Sequence, residues 1–388
     1  MSFPTAIELL PAAPWVLPFL TLPRLASRRP NLSDANPASD TLLSVIIPAR
    51  NEADTIAAVV RSVLGSNYEP LELIVVDDRS TDGTASIVQE LGADKRLRLI
   101  RGDELPEGWY GKPWACLQGY RHATGELLLF TDSDTRHQPE LLEQAVGALR
   151  SNRADLVTVS PTQRCVTFWE RIIMPQIWFL LALRYSPARV NRATRARDVI
   201  ANGQFILTTR AAYEAAGTHE AVRHEVAEDL ALAQTYLRRG LKLHFAFAER
   251  LMETRMYRGL ASLIEGWSKN IYLGGRRSFP DEPLPRALVP VMLASAMLFW
   301  LLPSVTLLMS ALLPGLDNLA PAALAASILG AVFWMLICFG MRIPALYGLG
   351  YPLGALMALY ISLRSTWRGA RTVEWRGRVY GAGRRVSG

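Results

Sequence analysis

Only three of the 388 residues are cysteine, at positions 116, 165 and 338, and no two are closely spaced. That excludes a disulfide-stapled scaffold and a thiolate zinc site. The sequence has no G-x-x-x-x-G-K-[ST] loop and no G-x-G-x-x-G turn. Phosphate is therefore not held by a P-loop or by a dinucleotide fold. Lysine is scarce, with four residues against 38 arginines, and there is no internal repeat or low-complexity run. Charge is almost missing from 287–363, where Asp317 and Arg342 are the only charged residues.

What is present is apolar. Half of the residues are hydrophobic, which excludes a mostly disordered chain and turns attention to the bilayer. Ala287–Leu313, Leu319–Met341 and Ala345–Leu363 follow one another with almost no polar face. Each is long enough to cross a hydrocarbon core of about 30 Å at about 1.5 Å per residue. Residues 364–388 then carry seven Arg and one Glu, a net +6, so nearly all of the formal +7 sits in a basic tail. Basic residues collected beside apolar segments point to a lipid surface rather than to nucleic acid.

The first residues are apolar too, interrupted by Pro11, Pro14, Pro18 and Pro23. No basic residue precedes Arg24, so a cleaved signal peptide is not expected. Residues 1–29 read as a hydrophobic anchor, interfacial or short and spanning, and 30–41 as a linker. Arg24, Arg28 and Arg29 favour a cytoplasmic position for the segment that follows, at the inner membrane. Three full spans would then put the Arg-rich tail outside, against the positive-inside tendency. Ala345–Leu363, with its Gly348, Gly350, Pro352 and Gly354, is the candidate for a re-entrant or interfacial stretch.

Residues 42–286 alternate short apolar runs with amphipathic ones. Strands are expected at Leu43–Pro48, Leu71–Val76, Leu97–Ile100, Leu127–Thr131 and Leu156–Ser160. Helices are expected at Glu52–Leu64, Thr84–Leu91, Pro113–Ala123 and Glu140–Leu149. This predicts an α/β domain with a mostly parallel, Rossmann-like sheet covered on both faces. Ligands of such sheets bind beyond the carboxyl ends of the strands.

Acidic motifs stand at those ends. Pro48-Ala49-Arg50-Asn51-Glu52 closes the first strand, Asp77-Asp78-Arg79-Ser80-Thr81-Asp82-Gly83-Thr84 the second, and Asp132-Ser133-Asp134 the fourth. Carboxylates gathered from several strands repel one another unless something cationic joins them. Mg²⁺ or Mn²⁺ shared with a substrate diphosphate has the right chemistry. Asp82 reads most simply as a helix cap.

In this order the motifs resemble those of the family 2 glycosyltransferases of GT-A fold, over roughly residues 43–275. The resemblance implies that Pro48, Arg50, Glu52, Asp77 and Asp78 serve the nucleotide of the donor. It implies that Asp132 touches ribose or metal and that Asp134 is the main metal ligand. Glu228-Asp229, at the start of a helix, is similar to the family's E-D, with Asp229 the catalytic base and Glu228 its support. Gly108-Trp109-Tyr110-Gly111-Lys112-Pro113-Trp114-Ala115 resembles a segment of membrane glycosyltransferases acting on lipids, which puts Lys112 on donor phosphate. Trp267 and Lys269 stand where related enzymes carry Q/R-x-x-R-W, which implies that they close over the donor; the motif departs from that pattern, which speaks for a single transfer rather than polymerisation. Asn202-Gly203-Gln204 matches a stretch beside the acceptor.

Phe168–Leu183, Trp-bearing and followed by Arg184, Arg189, Arg192, Arg195 and Arg197, reads either as a core helix before a solvated basic loop or as an interfacial helix on anionic lipid, and the later apolar block favours the interface. Glu374-Trp375-Arg376-Gly377-Arg378-Val379-Tyr380 resembles the ending of the same lipid-directed enzymes. The function these readings imply is inverting, metal-dependent sugar transfer from a nucleotide sugar, UDP-linked, to a hydroxyl of a membrane lipid: hopanoid, carotenoid, glycerolipid or ceramide-like. The alternatives are transfer to polyprenyl phosphate, and an inactive membrane scaffold with a nucleotide-binding fold.

Overall fold

The structure is a computed structural model and describes residues 6–26, 29–369, 372–375 and 378–381. Arg28, Arg376 and Gly377 lie outside the described residues.

The expected strands form as β1 (Leu43–Ala49), β2 (Leu71–Asp77), β3 (Leu97–Arg101), β4 (Leu127–Thr131) and β6 (Leu156–Gln163). Three more complete one eight-stranded sheet: β5 (Thr135–His137), β7 (Phe205–Thr209) and β8 (Leu243–Thr254). The order is β3-β2-β1-β4-β7-β6-β8-β5. β3, β2, β1 and β4 are parallel neighbours, whereas β7 runs antiparallel to both β4 and β6. The sheet is thus mixed, with its parallel half at one side. β1, in the centre of that half, is buried along its whole length, as a strand with apolar layers on both faces must be. Pro48 is tolerated there because pairing with β4 stops at Ile46, so the missing N–H deprives no ladder partner on that side.

The connecting helices are α1 (Ile56–Leu64), α2 (Thr84–Glu90), α3 (Gly111–His122) and α4 (Leu141–Ser151). Later come α5 (Phe168–Arg184), α6 (Arg210–Ala215), α7 (Glu228–Arg238) and α8 (Leu260–Arg277). The chain continues into α9 (Pro283–Leu312), α10 (Ala320–Gly340) and α11 (Tyr351–Arg368), the last preceded by a 3₁₀ stretch at Ala345–Gly350. By length and composition, three C-terminal segments around these helices could cross a membrane. Their outward residues are large and apolar: Leu302 is 54% exposed and Phe339 75%. Their shared interior holds Trp300, Phe333, Trp334, Tyr351 and Ala355. Residues 10–21 form a proline-rich 3₁₀ helix, and Trp15 stacks on Phe299 at 4.9 Å between ring centres. The N-terminal apolar segment therefore packs onto this helical block.

α5 departs from the interfacial reading. It starts with a capping box between Thr167 and Glu170, and the apolar side chains from Ile172 to Pro175, with Ile177 and Phe179, are buried. They pack against α8 and α11 in a cluster with Leu263, Trp267 and Ile361. Gly354 permits this: a Cβ there would lie 2.2 Å from the Ile172 carbonyl oxygen. The covered part of this apolar face is not available to lipid, whereas Phe168 and Leu183, at the two ends of the helix, stay about half exposed. Of the arginines that follow, Arg184 donates to the carbonyls of Arg197 and Ser278, and Arg197 pairs with Glu282. Arg189, Arg192 and Arg195 are exposed. In the tail, Thr372–Trp375 and Arg378–Gly381 pair as antiparallel strands.

Candidate active site

Parallel strands end on one edge, so residues just past β1, β2 and β4 meet there. β7 is antiparallel, with Phe205 opposite Thr131. Its amino end reaches the same edge, and this brings in Asn202, Gly203 and Gln204.

The β1 and β2 ends form one group. Arg50 donates to the carbonyls of Asp78 (2.6 Å) and Arg79 (3.1 Å). The backbone N–H of Glu52 donates to Thr84 Oγ1 (2.8 Å), and Thr55 Oγ1 donates to the Glu52 carboxylate (2.9 Å). Asp77 accepts from the Ser80 N–H at 3.3 Å, and Asp78 is fully buried. Asp82 accepts from the N–H groups of Thr84 (2.9 Å) and Ala53 (3.1 Å). It ties the loop after β1 to the start of α2 from the residue before the N-cap Gly83, so it is not itself the cap. Burial would raise its pKa, but the Thr84 and Ala53 bonds outweigh that and hold it low. Asn51 and Arg79, the residues that turn the chain at these ends, have φ of 52° and 56°. Two non-glycine residues in the left-handed region mark local strain of the kind stored at functional sites. Sequence alone did not signal the second.

The second group surrounds Lys112, at the start of α3. Its ammonium lies 2.8 Å from Asp132 Oδ1 and 2.9 Å from Glu228 Oε1. Burial would lower the Lys112 pKa, but Asp132 and Glu228 override it and hold the group well above the usual lysine value. The cation that the acidic cluster requires is thus supplied in part by the chain itself. The scarcity of lysine was the sequence signal that singled out Lys112; its bridging of two motifs was not foreseen.

Asp229 is placed by backbone. Its Oδ2 accepts from the Gly203 N–H (2.9 Å) and its Oδ1 from the Leu230 N–H (2.7 Å) at the start of α7. Burial first, then the neighbouring Glu228 carboxylate, push its pKa up to about 6. For Glu228 burial also raises the pKa, but Lys112 outweighs it and keeps that carboxylate ionised. Two adjacent acids therefore differ in proton affinity, the arrangement general acid–base chemistry needs. Gly203 keeps the turn close: a Cβ would lie 2.8 Å from Lys112 Nζ and 3.3 Å from Asp229 Oδ2, so one of these side-chain ends would have to shift. Asn202 and Gln204 hold this turn in place. The Asn202 N–H donates to Thr158 Oγ1 at 2.8 Å, and Gln204 Nε2 donates to Thr254 Oγ1 at 3.2 Å.

Trp267 lies elsewhere than a donor-facing position would require. It is buried between α5 and α8, with its indole N–H directed to Met174 Sδ at 3.2 Å. Lys269, two residues on and so on the opposite side of α8, is half-buried.

Among the described residues no group of three or more His, Cys, Asp or Glu side chains is gathered so as to hold a metal ion. Asp132 and Asp134 supply two carboxylates. Mg²⁺ and Mn²⁺ commonly bind one or two carboxylates and complete their shell with substrate phosphate and water, so the donor set fits such an ion.

Residues 44–215 match the profile of the family described as Glycosyl transferase family 2. A 4,4'-diaponeurosporenoate glycosyltransferase of Staphylococcus aureus strain MRSA252 is 29% identical over 249 residues, 61% of this chain and 63% of that protein. The corresponding protein of strain USA300 is 28% identical over 246 residues, with the same shares covered. The chain thus spans less than two thirds of the length of these curated relatives. Among solved structures, a mannosyltransferase from Pyrobaculum calidifontis in complex with GDP-Man and Mn²⁺ superposes with a TM-score of 0.56 at 21% identity. That match covers 93% of this chain and 98% of the other. With the carboxylate motifs gathered on the carboxyl edge of the sheet, residues 44–215 are similar to the family 2 glycosyl transferases, and the fold is the mixed α/β, GT-A type of the superposed mannosyltransferase.

Proposed function

We propose that the chain transfers a sugar, with inversion, from a nucleotide-sugar donor to a hydroxyl group of a membrane lipid. The observation that carries this reading is the Asp229 carboxylate. It is half-buried, fixed by two backbone N–H groups, and has its pKa lifted to about 6 beside an ionised neighbour. A base of that pKa is largely deprotonated at neutral pH yet still takes a proton readily. Asp229 removes the proton of the acceptor hydroxyl as its oxygen attacks the anomeric carbon. Glu228 stays ionised against Lys112 and keeps Asp229 poised.

Arg50, Glu52, Asp77 and Asp78 line the end that receives base and ribose. Asp132 and Asp134 are the carboxylates suited to Mg²⁺ or Mn²⁺, which when bound offsets charge on the departing diphosphate. Lys112 adds a further positive charge to that group. The donor is a UDP-linked hexose. A lipid-like acceptor is supported by the substrate named for the Staphylococcus relatives, 4,4'-diaponeurosporenoate, and by the three apolar helices; that substrate is a carboxylate, so the hydroxyl rests on Asp229 alone. The catalytic domain faces the cytoplasm at the inner membrane, anchored by those helices.

Detergent-solubilised protein incubated with UDP- and GDP-linked sugars and a membrane lipid extract, read by mass spectrometry, tests this. A hexose added to a membrane lipid other than polyprenyl phosphate, absent with Asp229→Asn, is the expected result. Glycosylated polyprenyl phosphate as the sole product overturns the acceptor assignment. No binding of any nucleotide sugar overturns the activity.

A further inference from the structure

Lys112 touches both acidic motifs at once, and one of its partners is Asp132 of the D-x-D. The ammonium is held at 2.8 Å from Asp132 Oδ1 and steadied from the other side by Glu228 at 2.9 Å. The backbone closes around it at Gly203, where even a methyl group would intrude to 2.8 Å from Nζ. A divalent ion on the same carboxylate oxygen would need a bond of about 2.0–2.1 Å. It would also meet a like charge across a few ångströms in a site largely screened from water, where repulsion is much stronger than in solution. Lysine differs from arginine here in being a compact charge on a flexible stem, able to change partner by rotation alone.

We propose that Lys112 competes with the divalent ion for Asp132, so that the D-x-D binds metal weakly until a donor diphosphate offers the ammonium another partner. Metal and donor then enter as one unit. A diphosphate brings several anionic oxygens into reach of the start of α3, so the ammonium exchanges a carboxylate for a phosphate and Asp132 is released to the ion. This rests on reading Asp132 and Asp134 as the metal ligands.

The experiment measures binding of Mn²⁺ alone, without nucleotide, to the purified full chain in detergent, by the electron paramagnetic resonance signal of free Mn²⁺. Removing the charge in Lys112→Met is expected to tighten Mn²⁺ about tenfold or more, because one close positive charge is gone. Lys112→Arg keeps the charge and is expected to stay near wild type. Lys112→Gln serves as a second neutral variant should the methionine variant fold poorly. Asp134→Asn in each background distinguishes the two layers of the reading. Mn²⁺ binding that survives Asp134→Asn places the ion elsewhere and overturns the site together with the competition. Binding lost with Asp134→Asn but unchanged in both neutral Lys112 variants overturns the competition alone.

Discussion

The α/β domain and the helical block bury different things. In the first, β1 through β4 put Val, Ile and Leu inside, and the polar residues that matter are held at one edge by hydrogen bonds and ion pairs. In the second, the large apolar side chains of α9, α10 and α11 point outward, while tryptophan, phenylalanine and small residues fill the interior. Water drives the first arrangement. The second is the arrangement suited to helices surrounded by hydrocarbon, where close packing rather than apolar burial holds them together. One chain thus carries two kinds of surface, and the helices of the second are long and apolar enough to cross a membrane. α5 and the loop before α11 form the seam between them, with Gly354 against Ile172 and Arg171 donating to Tyr347 Oη at 2.7 Å.

The comparison breaks most sharply at Asp229. Asp229→Asn is expected to lower turnover by about 10²- to 10⁴-fold, the span of a general base, with nucleotide-sugar affinity and melting temperature nearly unchanged. Transfer and donor titration measured on the same preparation check it; wild-type turnover removes Asp229 from the mechanism. The pH profile sharpens the same point. The deprotonated form is the active one, so activity is expected to rise with pH through about 6 and level off above it. Below that midpoint it should fall about tenfold per unit, as for one titrating base. A profile flat from pH 5 to 8 contradicts the assignment.

Gly203→Ala follows in size. The added methyl displaces Lys112 or Asp229, and a loss of kcat on the order of 10- to 100-fold is expected, as misplacement by about 1 Å produces. Gly354→Ala tests the seam instead. Its Cβ would meet the Ile172 carbonyl, so α5 and α11 must part, with a stability loss of about 1–3 kcal/mol from overpacking. Thermal melting in detergent reads the loss, and donor affinity should hold. Were Gly354→Ala to abolish donor binding, the two regions would not be separable as described. Arg342→Gln gives the smallest effect. It breaks an exposed pair with Glu249 at 3.0 Å, and exposed pairs contribute about 0–1 kcal/mol.

Much of this was legible in the chain. Strand starts at Leu43, Leu71, Leu97, Leu127 and Leu156 follow from short apolar runs between turn residues. β8 was not legible: its alternation of Phe, Ala, Glu and Arg is that of a half-covered strand, and its pairing partner β6 lies far back in the chain. α5 misled because an apolar, Trp-bearing helix looks alike whether lipid or protein covers it. Trp267 misled similarly, since an aromatic beside a lysine carries no sign of the direction it faces.

The sequence by itself determined where apolar and charged residues lie along the chain, and hence the division into an α/β domain and a helical block. It also determined which carboxylates end the strands, because strand periodicity and turn chemistry are local. Only the tertiary structure decided what those carboxylates touch. That Lys112 bridges Asp132 and Glu228, that Gly203 lends its N–H to Asp229, and that β7 reverses to bring Gly203 to the edge all depend on contacts between residues distant in sequence. Proton affinity follows from such contacts, since burial and neighbouring charge set it. The difference between Asp229 and Glu228, adjacent in the chain and both acids, is therefore a property of the fold.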